Sequence, residues 1–266
     1  MKTNTAIFDD TWFSDAHKNS KNGSWARAVI DTFEPSGKIY LQTIRRWFES
    51  YPHVGKEKKE LKKRLESYND ADHLGGANEL SWFEFMKYFN WQVKPVSATV
   101  RHPDFYISHP LEIFCEVSTL NMSEVDKSNV GGRIDHSRAS SRILRKAVDE
   151  KLDQLKYAEQ KKKPAILVVF DYSSWSGYGT QRFKAIAAHL LKCSNLPSGL
   201  SALLYIDKGV TGEGKIIIYC GKSAAYHNPC AKYPVPSNLF EIFPQFFLEL
   251  KEALLAHELH STWVLG

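Results

Sequence analysis

The sequence predicts an α/β protein, a mixed β-sheet flanked by helices, behind a mostly helical N-terminal extension. Three observations predict it. Apolar runs such as "LEIFCEVSTL", "AILVVFDYS", "LSALLYID" and "KIIIYC" have the length and β-branched content of strands. Before and between them lie longer amphipathic or charged stretches with helical spacing. The elements alternate, with helices separating successive strands or strand pairs, as in a sheet covered by its own connections.

The totals fit this class. A chain of 266 residues with 43% hydrophobic content can bury a sizeable core, and its 7 Trp, 12 Tyr and 15 Phe argue against disorder. The expected division is an extension over 1–70 and a core over 71–266. A formal charge of +5 is compatible with a nucleic-acid partner without specifying one. Cys115, Cys193, Cys220 and Cys230 are widely spaced and form no CxxC, so free buried thiols are expected. The opening "MKTNTAIFDD" lacks the apolar core of a signal peptide, and no run approaches the ~20 apolar residues of a membrane span. No membrane association and a cytoplasmic location are therefore expected.

In chain order, residues 1–40 are aromatic-spotted, with turn signals at "KNSKNGS" and "EPSGK". "TIRRWFESY" and "KEKKELKKRLES" read as helices, the second charged nearly all round and so a solvated face, or a basic run that touches phosphate, rather than a core helix. "ADHLGGANELSWFEFMKYFNW" opens with glycines and reads as helical from Asn78, a residue type suited to a cap. "PVSATVRHPDFYIS" and "LEIFCEVSTL" read as strands joined by a turn at "SHP". Residues 121–142 form a long polar stretch carrying Lys127, Arg133, Arg138 and Arg142, either a linker or a basic flap able to close on a phosphate backbone. A helix is expected over 143–160, a strand at "AILVVFDYS", a helix near 180–193, two strands, and a closing helix in "PQFFLELKEALLAHELH" with Pro244 in its first turn.

Two motif matches carry no chemistry. "GVTGEGK" has the spacing of a phosphate-binding loop, but Ile216 follows where Ser or Thr would hold Mg²⁺, and a strand rather than a helix comes next. It reads as a hairpin connection. His257 and His260 sit three apart with no third ligand in view and read as an exposed helix end.

The informative feature is a set of ionisable residues aimed inward. Strand parity in "LEIFCEVSTL" puts Leu111, Ile113, Cys115, Val117 and Thr119 on one face and Glu112, Phe114, Glu116 and Ser118 on the other. In "PDFYIS", Phe105 and Ile107 face the core and Asp104 the opposite side, so a hairpin lets Asp104 and Glu116 converge. At about 100° per residue, Glu79 falls in the stripe of Trp82, Phe83, Met86 and Phe89. On 143–160, Lys151 falls at the centre of the stripe of Leu144, Ala147, Val148, Leu152, Leu155 and Ala158, with Gln154 at its edge. An inward acid needs a charge or a metal to meet it, and an inward lysine needs an anion or a route to solvent.

The order Glu79 on a helix, "HPDF" with Asp104, "CEVS" with Glu116, and "DEKLDQL" with Lys151 and Gln154 resembles the PD-(D/E)XK nucleases, the restriction-endonuclease-like superfamily. The resemblance spans roughly residues 71–235 and departs from the pattern where Ser118 replaces the lysine of Glu-x-Lys. It implies a restriction-endonuclease-like core and a metal-dependent endonuclease hydrolysing phosphodiester bonds, with DNA favoured over RNA, in restriction or phage defence. Asp104, Glu116 and Glu79 would bind Mg²⁺ or Mn²⁺. Lys151 would stand in for the missing lysine, with lesser catalytic roles for Ser118 and Gln154. Arg133, Arg138 and Arg142 would contact nucleic acid. The alternative is a catalytically inactive protein of this fold that binds nucleic acid or a protein partner. A homodimer or a partner encoded elsewhere stays open.

Overall fold

The computed structural model describes residues 6–96, 100–120, 145, 149–171, 196–210, 216–219, 224–242 and 247–249. The chain divides into two compact units: Met1–Phe85 with Gly209–Ile218 and Leu248–Gly266, and Met86–Lys208 with Tyr219–Phe247. The boundary after Phe85 falls within a helix.

The first unit is helical: α1 (Asp10–Asn19), α2 (Trp25–Asp31), α3 (Lys38–Ser50), α4 (Gly55–Leu65) and most of α5 (Asp70–Tyr88). Asp9 caps α1 by accepting from the Trp12 amide, and Ser24 caps α2 by accepting from the Arg27 amide. The chain leaving α4 presents three successive carbonyls, each met by a ring N–H. Leu65 O accepts from His73 Nδ1 at 2.7 Å, Glu66 O from Trp12 Nε1 at 3.0 Å, and Ser67 O from Trp25 Nε1 at 2.8 Å. This satisfies backbone that burial would otherwise orphan. His73 is fully buried, stacks on Trp25 at 3.3 Å, and places Nε2 2.6 Å from the Tyr40 hydroxyl. Nδ1 therefore donates to a carbonyl, and Nε2 shares a second hydrogen bond with the Tyr40 hydroxyl, so both ring nitrogens are engaged. Burial pushes the Tyr40 hydroxyl well above its ordinary value, which keeps it a donor.

Helix α5 starts eight residues earlier than Asn78, which is buried in its middle. The cap is Asn69, whose side chain accepts from the amides of Ala71 at 2.8 Å and Asp72 at 3.3 Å. Gly75 and Gly76, read as a loop, are helical, and α4 lies against Gly76 while Gly75 is open. A Cβ on Gly76 would come within 3.1 Å of the Leu65 side chain. Propensity gave way to close packing.

The second unit is α/β. Its strands are β1 (Gln92–Pro95), β2 (Phe105–His109), β3 (Ile113–Leu120), β4 (Ala165–Asp171), β5 (Ala202–Val210) and, after β6 (Ile216–Tyr219), β7 (Ala224–His227). The order is β1-β2-β3-β4-β5, and β7 pairs with β5. β1–β2 and β2–β3 are antiparallel, β3–β4 and β4–β5 parallel, and β5–β7 antiparallel, so the sheet is mixed. All eight residues of β3 are buried, as expected of a strand covered on both faces. Helix α6 (Leu152–Gln160) covers one face. Leu155 and Ala158 pack there with Phe114, Leu120, Leu167, Val169, Leu203 and Tyr205.

Expectation and structure part at two further places. In the expected closing helix, Phe247–Glu249 is a strand, β8, an aromatic-rich run that suits a pleated surface. His257 and His260 lie outside the described residues. Cys115 is a buried free thiol as expected, whereas Cys230 is exposed, at a turn whose backbone is held by Asn228. Cys193 and Cys220 lie outside the described residues. "GVTGEGK" is flanked by β5 and β6, the two strands expected on either side of it.

The segment "YHNPCAKYPVP" fastens the start of β5. Asn228 is buried and donates through Nδ2 to Pro197 O at 2.9 Å and Leu200 O at 2.7 Å, while its Oδ1 accepts from the Cys230 amide. Ser201 Oγ donates to Tyr233 O and accepts from the Ala165 amide, tying this segment to β4.

Candidate functional site

The site is built on the β2–β3 hairpin. The pairs Phe105↔Cys115, Tyr106↔Phe114 and Ile107↔Ile113 fix its register, and one step further Asp104 faces Glu116. Phe105 and Ile107 are fully buried on one side. Asp104 shares the other side with Tyr106, Phe114 and Glu116, which is the parity read from the sequence.

The two acids interlock through backbone as well as position. The Asp104 amide donates to Glu116 Oε2 at 3.2 Å, and Asp104 Oδ2 accepts from the Val117 amide at 2.8 Å. Each carboxylate is thereby oriented by the strand that carries the other. Val117 contributes only its N–H, so no side-chain pattern could have flagged it.

Lys151 reaches this pair. Its Nζ donates to Glu116 Oε1 in a salt bridge whose side chains are 22% and 3% exposed. Burial works to lower the lysine pKa, but the charges of Glu116, Asp104 and Glu150 and the hydrogen bond to Glu116 outweigh it. The net direction is upward, so Lys151 is a fixed cation at neutral pH. Glu150, adjacent in "DEKL", was not singled out from the sequence.

Lys151 arrives by a route the periodicity did not foresee. The described helix starts at Leu152, and Lys151 is its N-cap, with φ −112° and ψ 7° outside helical geometry. The expected stripe therefore does not run unbroken through Lys151, and Leu144, Ala147 and Val148 lie outside the described residues. Gln154 follows three residues on. Its Oε1 is buried and has no hydrogen-bond partner, the one such side-chain atom among the described residues. A buried acceptor of this kind calls for a donor from water or ligand. Ser118 is buried on the Glu116 face of β3.

Glu79 belongs to the first unit, and its inward carboxylate is met there. Tyr51 Oη donates to Oε1 at 2.5 Å, and Arg64 forms a salt bridge to Oε2. The compensating charge that an inward acid requires is thus a guanidinium from α4. Arg133, Arg138 and Arg142 lie outside the described residues.

The donor set suits a hard divalent cation. Asp104 and Glu116 supply carboxylate oxygens, and two acids against one lysine leave a negative site. Among the described residues no group of three or more His, Cys, Asp or Glu gathers as a ligand set, so protein ligation would rest on two carboxylates. Mg²⁺, which keeps several waters and shares substrate phosphates, is the ion that tolerates so few. Among the described residues no helix is long and apolar enough to cross a membrane.

No family model, no curated protein and no solved structure matches this chain.

Proposed function

We propose that the chain is a metal-dependent endonuclease of restriction-endonuclease-like fold, hydrolysing phosphodiester bonds in DNA, with a place in restriction or phage defence. The observation that carries this reading is the meeting of Lys151 with Glu116 opposite Asp104. It provides two carboxylates and a fixed cation in a largely buried cluster although Ser118 stands where the strand lysine of Glu-x-Lys is expected.

Asp104 and Glu116 would hold Mg²⁺ or Mn²⁺. When bound, the ion polarises the phosphoryl oxygen and lowers the pKa of its water. The chain's own residues do the rest. Val117 N–H and Asp104 N–H fix the carboxylate orientations before any ligand arrives. Lys151 supplies positive charge to a phosphate that carries more negative charge as the reaction proceeds. Gln154, three residues after Lys151, offers a buried acceptor to a water or hydroxyl. The Glu79 carboxylate is held by Arg64 and Tyr51.

A plasmid-nicking assay in Mg²⁺ and in Mn²⁺, with wild type, Asp104→Ala, Glu116→Ala and Lys151→Ala, tests the reading. Nicking by the wild type that falls at least a hundredfold in each variant is the expected result. Nicking that survives both acid substitutions removes the site. A wild type that binds duplex but nicks nothing favours the inactive, nucleic-acid-binding alternative.

A further inference from the structure

The first unit holds a second feature suited to a polyanion. Residues 1–85 carry thirteen Lys or Arg and thirteen Asp or Glu, so the segment is neutral as a whole. Helix α4 is not. Its eleven residues, GKEKKELKKRL, include six basic and two acidic side chains, a net +4.

The structure sorts the six. Lys58 lies over the Phe48 ring at 4.9 Å and donates to Tyr51 O, Lys62 donates to Ala6 O and pairs with Glu66, and Arg64 pairs with Glu79. These three hold the fold together. Lys56, Lys59 and Lys63 are exposed. Their spacing of three and four residues puts them on one stripe, away from buried Leu61 and Leu65. Glu60 shares that stripe and leaves it at +2.

Helix stability accounts for only part of this stripe, since Lys63 alone has the dipole of the last turn and a preceding acid, Glu60, in its favour. Lys56 stands in the first turn, where the dipole disfavours a cation. Lys59 and Lys63 are like charges four apart, which repel. Glu60 follows Lys56 in the less favourable order for an i,i+4 pair. An external anion reverses these costs. The described exposed large apolar residues are Val54, Tyr88 and Val100, and none lies within α4, so the stripe lacks the apolar partner face that an interfacial membrane helix needs.

We infer that the Lys56–Lys59–Lys63 stripe of α4 binds the phosphate backbone of duplex nucleic acid independently of base sequence. This rests on the nucleic-acid reading of the acidic site and adds an anchoring surface to it. The test is fluorescence anisotropy on a random-sequence duplex in EDTA, from 50 to 300 mM NaCl, with the full chain. Replacing all three lysines by Gln should weaken binding at least tenfold and flatten the log–log salt slope by about 2.7, at roughly 0.9 per lost phosphate contact. The triple Arg variant should bind as the wild type does. Glu60→Gln should bind more tightly.

Equal affinity and slope for wild type and the Gln variant overturn the inference, as does a wild type that binds anionic phosphatidylserine vesicles but not duplex. The nicking assay separates it from the site reading. Lost binding alongside nicking that survives Asp104→Ala and Glu116→Ala sinks the site and keeps the stripe. Unchanged binding alongside nicking abolished by both acid substitutions does the reverse.

Discussion

Substituting Lys151 by Met tests the core of the site without requiring a substrate. Met keeps length and apolar stem but removes the charge that faces Glu116, Asp104 and Glu150. Glu116 is 3% exposed on its side chain, so the carboxylate left behind cannot be rehydrated without opening the sheet face. Deleting one partner of a buried pair costs about 3–5 kcal/mol. Lys151 is 22% exposed, which lets some water reach its end, so the lower figure, about 3 kcal/mol, is the better expectation. At roughly 2–4 °C per kcal/mol for a chain of this size, the melting temperature should fall by about 6–12 °C. Scanning calorimetry in EDTA reads this directly. Adding Mg²⁺ should raise the melting temperature of Lys151→Met more than that of wild type, because a bound dication would replace the missing charge.

The pH dependence has a definite sign. Lys151 has a folded pKa raised above its unfolded value, so its contribution is complete below the ordinary lysine pKa of about 10.4 and is lost as pH rises through the folded value. The gap between wild type and Lys151→Met should stay constant across neutral pH and close only in strong alkali. A Lys151→Met protein that melts with the wild type at pH 7.5 would refute the buried-pair reasoning.

Two other substitutions probe residues whose roles only the structure makes visible. Glu79→Gln should lower the melting temperature by several degrees, because it removes the charge that pairs with Arg64 and leaves Tyr51 only a neutral acceptor, while leaving the Mg²⁺ concentration for half-maximal nicking within twofold of wild type. A tenfold rise in that concentration would return Glu79 to the metal shell. Asn228→Ala strips partners from Pro197 O, Leu200 O and the Cys230 amide. Pro197 O keeps the Leu200 amide and the exposed Cys230 amide can turn to water, so Leu200 O is the buried group left unsatisfied. At about 1–3 kcal/mol for such a group, the variant should cost at least about 1 kcal/mol in urea unfolding, and a change under about 0.5 kcal/mol would dismiss the clamp.

Local periodicity lives in the chain and is legible there. Period-two alternation assigned Glu116 and Ser118 to one face of β3, and the Pro-bounded turn after "PDFYIS" implied the hairpin that sets Asp104 against Glu116. The run of strands and helices was enough for a mixed α/β fold. The helix starts were less legible, because caps and glycines take their meaning from what packs on them. Asn69 caps α5 and Asn78 does not, since Leu65 of α4 presses on Gly76 and favours helix where propensity alone reads loop.

What the sequence could say of the charged residues was that Glu79 and Lys151 point inward and must be met. It could not say by what. Arg64 lies 15 residues from Glu79, and Glu116 lies 35 residues from Lys151. Which charge fills which need is decided by how elements pack, and a buried charge accepts whichever opposite charge the packing brings within reach. The sequence alone therefore determined the strand faces and the inward acids. The tertiary structure decided that Glu79 is answered by an arginine, and that Glu116 is answered by a lysine at the start of α6.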